Sequence, residues 1–145
     1  MGPVGLNDIL ITPLAQIEVD GGSVLHAMKS SSQGYFGYGE AYFSSINSNS
    51  IKAWKLHSRM TMNLVVPIGK VRFVFCLENK QEKQFRVEEI GEHRYSRITV
   101  PPGIWFGFLG LSNSKSFILN ISDIEYDKSE VTKSDLNSII YNWDL

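Results

Sequence analysis

Three histidines, His26, His57 and His93, are the side chains whose unperturbed charge changes near neutral pH. They form no His-x-His or His-Glu-x-x-His pair, so the usual nitrogen ligands of a metal site are missing and no metal is expected. No Gly-x-Ser-x-Gly elbow, phosphate-binding loop or dinucleotide fingerprint occurs. The single cysteine, Cys76, excludes an internal disulfide framework and a Cys-rich zinc site. It lies in the apolar run Phe73-Val74-Phe75-Cys76-Leu77 and reads as a small core residue.

His57 is the informative histidine. In an extended strand, residues two apart share a face, so Lys55, His57 and Arg59 would line one side together, with Trp54 and Leu56 on the other. Flanking cations would favour the neutral imidazole, a competent proton acceptor, and would attract an anionic substrate. The plainer alternative is a strand end with three solvated polar groups. A second feature is Val100-Pro101-Pro102-Gly103-Ile104-Trp105-Phe106-Gly107-Phe108. Its prolines and glycines make a sharp corner, after which Trp105 either stacks on a planar base or sugar face or packs in the core. His26 and His93 sit in polar contexts and receive no role.

The elements that must position these residues read as strands. Residues 69–77, 94–100, 117–122 and 85–88 alternate or are rich in β-formers. The 117–122 segment sets Phe117, Leu119 and Ile121 on one face against Asn120 and Ser122, and Phe85 and Val87 are expected to point inward. Residues 40–46 and 51–57 flank the polar turn Asn47-Ser48-Asn49-Ser50 and look like a hairpin. Residues 133–142 would form one short turn or helix capped by Ser134. Residues 29–39 read as an exposed loop whose Tyr35, Phe36 and Tyr38 rest on a neighbouring surface or subunit. Short strands broken by Gly, Pro and Asn clusters predict a sandwich, barrel or jelly roll.

The chain has 145 residues, 43% hydrophobic and 20% charged, which suits a single globular domain over 1–145 that needs neither disulfide nor metal for its core. No apolar run approaches membrane-spanning length, and the N-terminus lacks the pattern of a signal peptide. A cytoplasmic location without membrane partners is expected. The net charge of −1 argues against a nucleic-acid binder. Residues 51–100 nevertheless hold ten Lys/Arg against five Asp/Glu, between acidic flanks. A basic middle of this kind could serve a small anionic ligand such as a phosphate.

Several segments together resemble one family, the cofactor-independent dTDP-4-dehydrorhamnose 3,5-epimerases. Ile11-Thr12-Pro13-Leu14 and Asp20-Gly21-Gly22 look like its opening. Glu40-Ala41-Tyr42-Phe43-Ser44 and Lys52-Ala53-Trp54-Lys55-Leu56-His57 look like the strand pair leading to its catalytic histidine. Asn63 to Val71 is similar to the next strand and turn, Val100 to Phe108 resembles the Pro-x-Gly-x-x-His-Gly-Phe signature, and Ile139 to Trp143 resembles the closing Ile-x-Trp. The resemblance implies an all-β double-stranded β-helix, or cupin-like jelly roll. It further implies a homodimer with N-terminal strand exchange and no cofactor.

The activity implied is epimerisation or isomerisation of a nucleotide-linked 4-keto-6-deoxy sugar in surface polysaccharide or deoxysugar biosynthesis. His57 would be the base, with Tyr126 or Glu125 as partner acid. Lys55, Arg59, Asn63, Arg72 and Trp105 would bind substrate. The chain departs from the family pattern elsewhere: Trp54 replaces an arginine, Asn63 a lysine and Phe106 the signature histidine. The carboxylate that supports the base would have to come from Asp123, Asp127 or Asp135. A catalytically degenerate sugar-nucleotide-binding or structural partner protein of the same fold is the alternative.

Overall fold

The computed structural model describes residues 2–79 and 82–144. Its strands run β1 (Leu10–Pro13), β2 (Gln16–Val19), β3 (Gly22–Leu25), β4 (Glu40–Ile46), β5 (Ile51–His57) and β6 (Met62–Ile68). They continue as β7 (Lys70–Asn79), β8 (Glu82–Gly91), β9 (Ser96–Val100), β10 (Trp105–Gly110), β11 (Ser116–Ser122) and β12 (Val131–Lys133). Two five-stranded antiparallel sheets form, in the orders β1-β9-β6-β11-β4 and β12-β5-β10-β7-β8, with β2-β3 as a separate ribbon. This is the all-β jelly roll that the resemblance implied.

Period-two alternation assigns the faces. Leu64, Val66, Ile98 and Ile118 of the first sheet meet Phe73 and Phe75 of the second in the central core. The odd-even switch puts Trp54, Val74 and Cys76 on the far side of the second sheet. There Ile139 covers them, with Trp105, Tyr141 and Trp143 packed alongside. Burying these apolar side chains contributes roughly 1.5–3 kcal/mol each before the entropy of ordering them. Cys76 is a core residue as expected.

Three local expectations are corrected. Residues 40–46 and 51–57 are not a hairpin: β4 pairs with β11 and β5 with β10 and β12, so the turn between them crosses from one sheet to the other. The crossover places β4 and β5 on opposite sides of the interior, each turning one face to it. Residues 133–142 contain the end of β12 and the expected short turn, a single 3₁₀ turn Leu136–Ser138, but its N-cap position is Asp135 and not Ser134. Val87 is exposed because its side of β8 is the outer face, whereas Ile90 is buried on the other side. The two faces expected of β11 are present, and its polar side is the inner one: Asn120 is buried and Phe117 exposed.

Candidate functional site

The space between the sheets opens into a cavity of about 430 Å³ at the end where β5 and β12 meet β4. His57, at the last position of β5, forms part of its wall. Two glycines fix this strand end. Gly103, at φ +92° in the turn after Pro101-Pro102, donates its N–H to the His57 carbonyl at 2.7 Å. Gly107 faces Ala53 across a register shift; a Cβ there would come within 2.5 Å of the Ala53 Cβ. The shift changes the parity of β5, so Lys52 joins Lys55 and His57 on the cavity side.

His57 Nδ1 lies 2.5 Å from Glu130 Oε1, and the Glu130 side chain is 0% exposed. The other carboxylate oxygen, Oε2, accepts the backbone N–H groups of Arg59 and Met60 at 3.0 and 3.1 Å. Burial pushes the Glu130 carboxyl up, but the hydrogen bonds from His57, Arg59 and Met60 outweigh it and hold the group below the usual carboxylate range. An ionised Glu130 accepts Nδ1–H, so that in the neutral ring Nε2 is the nitrogen without a proton. Nε2 makes no hydrogen bond to the described residues. Phe106 stacks on the ring, with centroids 5.8 Å apart and planes 14° from parallel.

The carboxylate bonded to His57 is Glu130, and none of Asp123, Asp127 or Asp135 takes that place. Asp123 accepts the Thr61 amide, Asp127 pairs with Arg59 and accepts from Ser129, and Asp135 precedes the Leu136–Ser138 turn. Sequence reasoning passed over Glu130 because it belongs to a 3₁₀ turn, Lys128–Glu130, far from His57 in the chain. The available signal was Asp127-x-Ser129, whose cap bond turns the chain and delivers Glu130 to the start of β12.

Of the substrate-binding residues expected from sequence, Lys55 lines the cavity and the others do not. Arg59 lies past the end of β5 and pairs with Asp127 at 2.5 Å. Asn63 faces outward from β6, held by Gly34, Arg97 and Thr99. Arg72 is outward on β7, bonded to Glu89 and the Trp143 carbonyl. Trp105 packs on the opposite side of β10 from Phe106, in the outer cluster. Tyr126 sits at the rim, 59% exposed, while Glu125 is exposed and outside the lining.

The structure adds lining residues that the sequence reading missed. Lys133 stands directly opposite Lys55 in the β5-β12 register, and Lys52 completes a trio around the mouth. Like charges facing one another across a strand pair are destabilising, and none of the three has a carboxylate partner among the described residues. Burial, then Lys133 and Lys52, pull the Lys55 ammonium below its usual value. Tyr42, on β4, turns its phenol to the same cavity, where its oxygen accepts the Asn120 amide at 2.9 Å. Burial raises that phenol's pKa; the Asn120 bond opposes the rise and the charges of Glu40 and Glu130 add to it. The remaining wall is apolar, with Phe73, Phe106, Phe108 and Leu64 prominent. Among the described residues no three His, Cys, Asp or Glu side chains gather as metal ligands.

The sequence matches no family model and no curated protein. Solved structures do match. A dTDP sugar isomerase from Desulfovibrio desulfuricans G20 superposes with a TM-score of 0.88 at 28% identity, over 94% of this chain and 91% of the other. A 3,4-ketoisomerase from Thermoanaerobacterium thermosaccharolyticum, in complex with TDP-4-keto-6-deoxyglucose, shares the fold with a TM-score of 0.73 at 12% identity over 90% of both chains. The dTDP-4-dehydrorhamnose 3,5-epimerase of Bacillus anthracis, with TDP and PPi bound, does so with a TM-score of 0.77 at 15% identity, over 93% and 83%. The chain therefore shares the jelly-roll fold of dTDP-sugar isomerases and epimerases, the group its motifs resemble.

Proposed function

We propose that this protein moves a proton at the carbon beside the ketone of a dTDP-linked 4-keto-6-deoxy sugar, with His57 as the base. The observation that carries this reading is the His57–Glu130 pair set in the wall of a cavity ringed by lysines. Nε2 of the neutral ring takes the proton from carbon, and the C–H electron pair forms the enolate. The positive charge gained by His57 is balanced by the buried Glu130 carboxylate. A phenol returns a proton to complete either epimerisation or ketone migration; Tyr42 within the cavity and Tyr126 at its rim both offer one. Lys52, Lys55 and Lys133 supply the charge that a diphosphate needs, and the phenylalanine wall suits the deoxygenated edge of the sugar.

The test is solvent exchange. Incubated in heavy water with dTDP-4-keto-6-deoxyglucose, the protein is expected to place deuterium beside the ketone, detected by mass spectrometry. Binding of dTDP without any deuterium uptake would favour the degenerate sugar-nucleotide-binding reading instead.

The β2-β3 ribbon points to assembly. Ile17, Val19, Val24 and Leu25 are exposed on two strands that belong to neither main sheet. An isolated two-stranded ribbon is marginal in water, so a second copy covering it is the expected state. Light scattering should give twice the chain mass, and Ile17→Lys with Val24→Lys should shift it to one. A wild-type monomer would contradict the homodimer.

A further inference from the structure

The outer side of the first sheet carries a buried cation that the proposed reaction does not use. Arg97 of β9 is 1% exposed and has no carboxylate partner among the described residues. Its three nitrogens each donate once to a neutral acceptor: Nε to Asn63 Oδ1 at 3.2 Å, and the two terminal nitrogens to the Ala27 and Gln33 carbonyls at 2.8 and 3.0 Å. A guanidinium has five N–H bonds, so each terminal nitrogen keeps a further donor. Leaving a buried positive charge without a counterion is costly, and neutral carbonyls offset only part of that cost.

Arg97 borders a second cavity of about 510 Å³, formed where the 26–32 segment lies over β1 and β9. His26, Lys29, Ser32 and Thr12 also line it, and it shares no residue with the His57 cavity. Thr12 is the register partner of Arg97, so both side chains leave the sheet on the same face. No aspartate or glutamate lines the cavity, and Lys29 has no ion-pair partner among the described residues. Cationic and hydroxyl donors converge on a concave space with no acid to balance them. That arrangement is complementary to an oxyanion.

We propose that this cavity is a binding site for a phosphoryl group, held by Arg97 and Lys29, with His26 and the Thr12 and Ser32 hydroxyls completing the shell. It is separate from the site proposed for the sugar reaction and does not depend on it. A bound phosphate would neutralise Arg97 and tie the 26–33 segment to the sheet.

The probe is inorganic phosphate, titrated into the full chain and followed by backbone amide shifts. The Lys55→Ala variant provides the background in which phosphate at the other cavity is weakened. Saturable shifts of the Lys29, Ser32 and Gln33 amides are expected in both proteins. Lys29→Glu, at an exposed position, should weaken the affinity about tenfold or more, since it reverses one charge. Arg97→Lys tests the fork directly, and Lys29→Glu keeps the proposal open to test if Arg97→Lys does not fold. Acetate should move the same amides more weakly than phosphate at equal concentration. The proposal is overturned if these amides stay still at phosphate concentrations that saturate the His57 cavity and well beyond. It is equally overturned if their shifts survive Lys29→Glu unchanged or vanish wholly with Lys55→Ala.

Discussion

His57→Asn is expected to lower kcat by about 10²–10⁴-fold and to abolish deuterium uptake beside the sugar ketone, while leaving the fold intact. Asparagine fills much of the same space and keeps a polar group near Glu130, but it cannot accept a proton at neutral pH. The ring's other contacts are the Phe106 stack and the Glu130 bond, neither of which reaches substrate. In the proposed reaction substrate binding falls to the lysine trio and the aromatic wall that line the cavity. The loss should therefore fall on kcat and kcat/KM alike, with KM little changed, as for an interaction made only in the transition state. Circular dichroism and thermal melting establish that the variant is folded; steady-state kinetics and isotope exchange read the effect. A His57→Asn variant retaining activity within about threefold of wild type would remove His57 from the chemistry.

The fold was more legible in the chain than the site. Residues 69–77 and 94–100 give strands that exist, because both runs are rich in the β-branched and aromatic side chains that suit strands buried on both faces. The crossover between β4 and β5 escaped notice because a polar four-residue turn has the same composition whether it closes a hairpin or passes between sheets. His57 was legible as a strand-end histidine in a recognisable run. Arg59 was misplaced because the two-residue rule was carried past the end of β5, and Arg72 and Trp105 because their faces depend on which side of the second sheet the C-terminal segment covers. Glu130 and Lys133 act through pairing with β5 across some seventy residues of chain, |i−j| being 73 for the His57–Glu130 bond. No local pattern encodes such a partner. Asn120 in β11 shows the same limit: alternation separates two faces without saying which is inner, and the polar one looks into the cavity.

Glu130→Gln should be nearly as damaging as loss of the histidine, through the proton inventory of the pair. The carboxylate accepts three hydrogens: Nδ1–H on one oxygen and the Arg59 and Met60 amides on the other. A glutamine offers one acceptor and one donor end in the same place. If its oxygen takes the two amides, its NH₂ faces His57 and demands a bare Nδ1, which puts the ring proton on Nε2, the nitrogen that must be free to act as base. If its oxygen faces His57 instead, the NH₂ opposes two buried N–H donors at a cost of about 1–3 kcal/mol. The first arrangement is the cheaper one, so the variant should fold with the wrong tautomer and lose about 10²–10⁴ in kcat, as expected when an orienting carboxylate is neutralised. Stability carries an independent signature. Because the folded-state pKa of Glu130 lies below its ordinary value of 4.5, ionisation favours the folded protein. That contribution is complete above the unfolded-state value and is lost as pH falls through the folded-state value. The Tm gap between wild type and Glu130→Gln should accordingly be widest near neutrality and narrow below pH 4.5. A gap that stays constant with acidification would mean that the carboxylate is not held ionised against His57. Normal activity in Glu130→Gln would mean that the ring needs no carboxylate to set its proton.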